Sequence, residues 1–168
     1  LEVARHEGAR LHGLHVMSSE NQSEEAQAVQ AEFNRRCEAA GIPGELALEV
    51  GKVSRKICER GRWADLVVLS LTYPPAPQPM ARLGSGLSTL LRRCPRPVLA
   101  VPESSSHLSR ALLAYDGSPK ADEALFVATY LSSRWQIPLV VVTVIEMGRT
   151  TSETLARAQS YLETHGVE

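Results

Sequence analysis

Apolar positions along the chain fall into two alternating patterns. Short apolar runs of β-strand length alternate with longer segments in which apolar residues recur at helical spacing. The predicted strands are residues 10–17, 45–50, 65–71, 97–101, 110–115 and 138–145. The predicted helices cover residues 23–40 and 53–61, begin near residues 87 and 119, and end at Gly166. Strand–helix alternation with short connections is typical of an α/β fold.

The central runs are apolar on both faces, as LVVLSL within residues 65–71 illustrates. A strand of this kind lies in a sheet that is covered on both sides, which favours parallel pairing. The predicted fold class is therefore α/β, with a doubly wound, mostly parallel, Rossmann-like sheet.

Two segments interrupt the alternation. Residues 73–82 contain four prolines, Pro74, Pro75, Pro77 and Pro79, which exclude a helix or a central strand there. Residues 103–109 form a polar linker, after which the strand–helix pattern starts again. This organisation predicts one module over residues 1–102 and the opening half of a second module over residues 110–168.

Composition excludes several classes of protein. Of the 168 residues, 43% are hydrophobic and 22% are charged, which is ordinary for a globular chain and unlike a disordered one. The formal net charge of −1 gives no basic excess for nucleic acid. The longest apolar run, residues 137–145, is far shorter than the roughly 20 residues that span a bilayer. We therefore expect neither nucleic acid nor a membrane as a partner.

The cysteines and histidines predict neither a disulfide framework nor a metal site. Cys37, Cys58 and Cys94 are scattered and form no CxxC pair, which favours reduced thiols and a cytoplasmic location. His12 and His15 are three residues apart in a predicted strand, so that their side chains point to opposite faces.

Two short polar segments stand where a parallel sheet binds ligands, beyond the carboxyl ends of its strands or at the start of a helix. Asp116, Gly117 and Ser118 follow the strand at 110–115, and the segment Gly84-Ser85-Gly86 opens a helix. A helix N-terminus attracts anions, and a carboxylate accepts hydrogen bonds from a ribose hydroxyl or an adenine amine. Each segment has a simpler interpretation as a turn with a helix cap.

Five longer segments resemble the universal stress protein family. RALLAYDGSPKADEAL is similar to the opening strand, turn and helix of that family, and ADLVVLS to its fourth strand. LGSGLSTLLRRCPRPVLAVP is similar to its closing helix and strand. GARLHGLHVM and IPLVVVTVIE both resemble its second strand, so that Val16 and Val144 correspond. The resemblance extends over essentially the whole chain.

The resemblance implies an unusual order of parts. Residues 1–8 correspond to the end of a first helix, and the module that runs to Pro102 lacks the family's first strand and its aspartate. This order predicts a tandem-type protein in which each module is incomplete here. Alternatively, the strand at 110–115 completes the first module as a permuted single domain, which would bring Asp116 to Gly84 and Ser85.

The resemblance also implies adenine-nucleotide binding, with ATP or AMP as ligand. Members that bind ATP have a G-x2-G-x9-G-[ST] stretch, whose last two positions match Gly84 and Ser85, followed by Gly86. Leu71 and Pro74 stand where the first two glycines belong. On the adenine side, the resemblance points to Asp116, with Gly117 and Ser118, and to Val16 or Val144.

Two functional hypotheses follow. In the first, the chain is a regulatory, nucleotide-binding protein without catalysis of its own, since Ser85 lies outside a nucleophile elbow and no acid–histidine pair is placed to activate it. In the second, it is a non-binding dimerisation or interaction module of the same fold. Self-association through the sheet edge at 97–101 is expected because an uncovered edge readily pairs.

Overall fold

A computed structural model describes residues 1–19, 23–71, 86–102, 107–145 and 152–167. The chain divides into two compact units, Leu1–Ser105 and Ser106–Glu168, here called unit 1 and unit 2. The proline-rich segment, Gly84, Ser85 and most of the linker lie outside the described residues.

Helices and strands alternate in both units. In unit 1 the described elements are α1 (Glu2–Glu7), β1 (Leu11–Met17), α2 (Ser23–Ala40), β2 (Gly44–Val50), α3 (Val53–Gly61), β3 (Val67–Leu71), α4 (Gly86–Arg93) and β4 (Val98–Pro102). In unit 2 they are β5 (Ala111–Ala114), α5 (Pro119–Trp135), β6 (Leu139–Val142) and α6 (Ser152–Thr164).

The described strands pair in three parallel ladders. In unit 1, β1 pairs with β2 from Leu11↔Gly44 to Met17↔Val50, and β3 pairs with β4 from Val67↔Val98 to Leu71↔Pro102. In unit 2, β5 pairs with β6 from Ala111↔Leu139 to Ala114↔Val142. The alternation of elements and the parallel pairing confirm the predicted α/β fold class.

Close packing of α2 on the first ladder explains a glycine within a strand. A Cβ on Gly13 would lie 2.7 Å from both the Phe33 ring and the Leu46 side chain, so only glycine lets the helix approach this closely. On either side of Phe33 in the same helix, Ala26 and Cys37 are buried. Apolar residues that recur at helical spacing within residues 23–40 therefore form part of the core of unit 1.

Unit 2 has one buried and one open sheet face. Alternate strand residues point inward and join the helices in a core that comprises Leu113, Tyr115, Ala121, Leu125, Leu139, Ala158 and Val167. Leu112 and Val140, which are register partners on the opposite face, are 69% and 55% exposed.

Strand β6 is shorter than predicted. The apolar run extends to Ile145, but the strand ends at Val142 because its partner β5 ends at Ala114 and the chain then turns. The hydropathy pattern of one strand does not show where its partner strand ends. Among the described residues, no helix is both long enough and apolar enough to cross a membrane.

Candidate functional site

The carboxyl ends of β5 and β6 bring two predicted site residues to one edge of unit 2. Past the last ladder pair, the Tyr115 amide donates to the Val142 carbonyl at 2.9 Å, and the Thr143 hydroxyl donates to the Tyr115 carbonyl at 2.7 Å. These two bonds hold the segments immediately before Asp116 and Val144. Both of those residues are exposed, Val144 to 76%.

Asp116, Gly117 and Ser118 form a tight turn into α5. The Ser118 amide donates to Asp116 Oδ1 at 2.9 Å, as in an Asx turn, and Gly117 has φ +75°. Ser118 is the N-cap of α5, with its Oγ accepting from the Ala121 amide at 3.2 Å. The predicted cap is thus confirmed, with Pro119 at the first helical position.

Two side chains of helix α6 contact this turn. Arg157 Nη2 lies within hydrogen-bond distance of three oxygens, the Gly117 carbonyl at 2.9 Å, the Tyr115 hydroxyl at 2.7 Å and Asp122 Oδ1 at 2.8 Å. One turn away, Thr154 Cγ2 lies 2.8 Å from where a Cβ on Gly117 would stand. The turn therefore has no room for a side chain at its centre.

A tyrosine connects the arginine to the core. Tyr115, which is only 2% exposed, donates its hydroxyl to Asp122 Oδ1 at 2.6 Å while accepting from Arg157 Nε at 3.0 Å. Burial, reinforced by the Asp122 carboxylate, raises the pKa of Tyr115 above its usual value, and Arg157 opposes that shift. The phenol thus stays protonated and donates to the carboxylate at neutral pH.

Sequence reasoning missed these supporting residues. Arg157 and Thr154 flank the apolar stripe of α6, where charged and hydroxyl side chains are ordinary, and they are about 40 residues from the turn. The one local signal is Asp122, an acid in the first turn of α5 and seven residues after Tyr115. Contacts between residues this far apart in the chain depend on how α6 packs, and the local sequence pattern does not indicate them.

The remaining predicted site residues belong to unit 1. Val16 is half-buried within β1 and pairs in register with Glu49, whereas its counterpart Val144 stands beyond the end of β6. Glu49 accepts from Lys56 Nζ at 2.7 Å and Arg60 Nε at 2.6 Å, and these two cations hold the pKa of its carboxyl below the usual value. Gly86 begins α4, and a Cβ there would meet open space.

Hydrogen bonds within the turn of unit 2 use several of its groups. Its amides are largely engaged, since Ser118 N–H donates to Asp116, and the N–H groups of Ala121 and Asp122 donate to Ser118. Asp116 and Val144 are both exposed at this edge. Over the described ranges, no group of three or more His, Cys, Asp or Glu residues could hold a metal ion.

Two comparisons bear on identity. Over 107 residues the chain is 28% identical to "Universal stress protein Slr1230" of Synechocystis sp. (strain ATCC 27184 / PCC 6803 / Kazusa). Its fold matches the crystal structure of a universal stress protein from Archaeoglobus fulgidus DSM 4304, with a TM-score of 0.78 over 95% of this chain and 22% identity. The first comparison supports the universal stress protein family, and the second supports the fold. No family model matches the chain.

The two relatives are longer than this chain. The cyanobacterial match covers 61% of the chain but only 36% of the relative, and the structural match covers 63% of the archaeal protein. At 22% identity, the structural likeness shows the α/β fold alone.

Proposed function

We propose that this chain is a universal-stress-type regulatory protein that binds an adenine nucleotide, ATP or AMP, at the carboxyl ends of its strands. The observation that carries the proposal is the β5–β6 pairing, which holds Asp116 and Val144 at one edge of unit 2. An adenine ring has an amine donor and apolar faces, and these complement a carboxylate beside an exposed valine. The two named relatives support a role in the stress response.

Unit 1 would have a phosphate contact of its own module at the segment Gly84-Ser85-Gly86. Gly86 is the first residue of α4, and a helix N-terminus favours negative charge. Leu71 and Pro74 remove the backbone freedom of the family's first two glycines, and Pro74 also removes an amide donor. We therefore expect the phosphate contact of unit 1 to be weak.

We place these sites in a tandem arrangement in the cytoplasm. One module covers residues 1–102, a linker covers 103–109, and the opening half of a second module covers 110–168. The division of the chain at Ser105–Ser106, within that linker, supports this organisation. By the family resemblance, Val16 would serve the first module as Val144 serves the second.

Equilibrium dialysis of the full chain with radiolabelled ATP, and separately with AMP, tests the nucleotide site. Loss of a charged hydrogen-bond partner in Asp116→Ala should weaken binding by about tenfold to a hundredfold. Asp116→Asn keeps the acceptor oxygen for the Ser118 amide, so a similar loss there would assign the effect to the charge. Asp65→Ala, at an exposed aspartate ahead of β3, is the matched control and should bind as the wild type does.

Two results would contradict the proposal. Equal affinity of the wild type and Asp116→Ala would remove the unit 2 turn from the site. Absence of binding by the wild type would reject nucleotide binding for this chain. Rapid conversion of ATP to ADP during the dialysis would instead indicate an enzyme that uses ATP, whereas weak hydrolysis is compatible with the proposal.

A second candidate function is self-association as an interaction module. The open face of the β5–β6 ladder supports it, because parallel sheets are normally covered on both sides. Within the described strands β4 pairs with β3 alone, which leaves an edge of the kind that other chains can join. Sedimentation should give a dimer that Leu112→Lys dissociates, while Leu91→Lys, at a leucine exposed on α4, leaves it intact. A wild-type monomer would refute this candidate.

A further inference from the structure

Two of the three cysteines lie together where α3 and α4 pack in unit 1. Cys58 is on α3, and Cys94 follows α4 directly, with its amide donating to the Leu90 carbonyl at 2.8 Å. A Cβ on Gly61 would lie 3.4 Å from Cys94 Sγ. Since Cys58 precedes Gly61 by three residues, both occupy the same face of the helix. Cys94 is close enough to Cys58 to contribute to the raised pKa of its thiol.

Both cysteines of this pair are reduced and partly accessible to small molecules. Both thiols are half-buried and neither is in a disulfide. Burial raises the pKa of Cys58, while the nearby Arg93 and Arg62 act in the opposite direction. Only a small fraction of Cys58 is then thiolate at neutral pH, so this thiol should respond to sustained oxidant rather than to trace amounts.

The third cysteine has a different environment. Cys37 is 5% exposed on α2, and its Sγ is 2.7 Å from where a Cβ on Gly44 would stand. It packs as a small apolar side chain in the core under β2. Cys37 is therefore an internal control for any chemistry at the other two.

We propose that Cys58 and Cys94 are a redox-active pair that closes to an intramolecular disulfide in the presence of hydrogen peroxide. One thiolate attacks a peroxide oxygen, the O–O bond breaks, and a sulfenic acid forms with loss of water after proton uptake. The second thiol then attacks the sulfenic sulfur, and a second water leaves as the S–S bond forms. Two thiols and one peroxide give one disulfide and two waters, and a dithiol such as dithiothreitol reverses the reaction.

The Cys58–Cys94 disulfide would close a loop that contains the segment proposed to bind phosphate. Residues 59–93 lie between the two cysteines and include the proline-rich segment and Gly84, Ser85 and Gly86. A cross-link at both ends of that stretch reduces the conformations open to it in the unfolded chain.

Peptide mapping of the peroxide-treated full chain tests the proposal. The native protein should lose two hydrogen atoms and yield one cross-linked peptide that joins Cys58 to Cys94. When it is then unfolded for labelling, Cys37 should be its only alkylatable thiol until dithiothreitol is added. Cys37→Ser should form the same cross-link, whereas Cys58→Ser should form none. Oxidation in concentrated urea should instead give all three pairings, because the native geometry is lost.

Three results would overturn the proposal. They are a native disulfide that includes Cys37, cross-linking between chains as the main product, and a native protein whose three thiols all remain alkylatable after prolonged peroxide treatment. The mapping is made on the wild-type chain, so it does not depend on the folding of any variant.

Discussion

The turn at Gly117 allows a sharp test, because two separate effects oppose any side chain there. Gly117 has φ +75°, a region in which an L-residue costs about 1–2 kcal/mol. A Cβ would also stand 2.8 Å from Thr154 Cγ2, and relief of such an overlap in a packed region costs about 1–3 kcal/mol. We predict that Gly117→Ala lowers the free energy of unfolding of unit 2 by about 2–5 kcal/mol.

Two companion variants separate the contributions. Gly166 has φ +66°, but a Cβ there would meet nothing within 4 Å, so Gly166→Ala should show only the conformational part of about 1–2 kcal/mol. Thr154→Ser removes the clashing methyl group. In the Gly117→Ala background it should restore about 1–2 kcal/mol, which is a coupling that independent sites would not show.

Urea unfolding followed by tryptophan fluorescence measures these differences. Trp63, in unit 1, is 85% exposed, so its replacement by phenylalanine should not disturb the fold, and the half-buried Trp135 then reports on unit 2 alone. The unfolding midpoint should fall with the slope unchanged. The reasoning is refuted if Gly117→Ala destabilises unit 2 no more than Gly166→Ala, or if Thr154→Ser restores nothing.

Two further predictions concern capping and pH. Ser118→Ala removes the acceptor for the Ala121 amide and should lower the stability of unit 2 by about 1 kcal/mol in the same assay, while Ser118→Asp, which caps equally well, should not. Hydrogen bonds from Arg35 and Arg36 lower the pKa of Glu32 from 4.5 to about 2. A depressed carboxyl pKa stabilises the fold above pH 4.5, and this is lost as the pH falls from there to about 2, so the wild-type melting temperature should fall more than that of Glu32→Gln over that range. An equal fall in both proteins would contradict this expectation.

Local periodicity predicted most of the fold. Residues 23–40 and 53–61 are helices with the bounds that the sequence indicated, because helical spacing and the stop at Gly41 act over neighbouring residues. Ser118 is the cap of α5 for the same reason. The end of β6 was misjudged because a strand ends where its partner does, and that partner is about 28 residues away in the chain.

The candidate site was predictable only in part. Asp116 was selected because parallel sheets bind ligands beyond the carboxyl ends of their strands, whereas Val144 was named by the family resemblance. The bonds from Arg157 to the turn depend on the packing of α6 against it, and nothing in the local pattern indicates that contact. The proximity of Cys58 and Cys94 likewise follows from the packing of α3 on α4 and not from their spacing in sequence.

Mass spectrometry of the natively purified chain, denatured to release any bound small molecule, tests the central claim most directly. The account predicts a stoichiometric adenine nucleotide with the wild type and an empty site in Asp116→Ala. Absence of nucleotide, together with no uptake when ATP is added, would contradict the account and favour the interaction module.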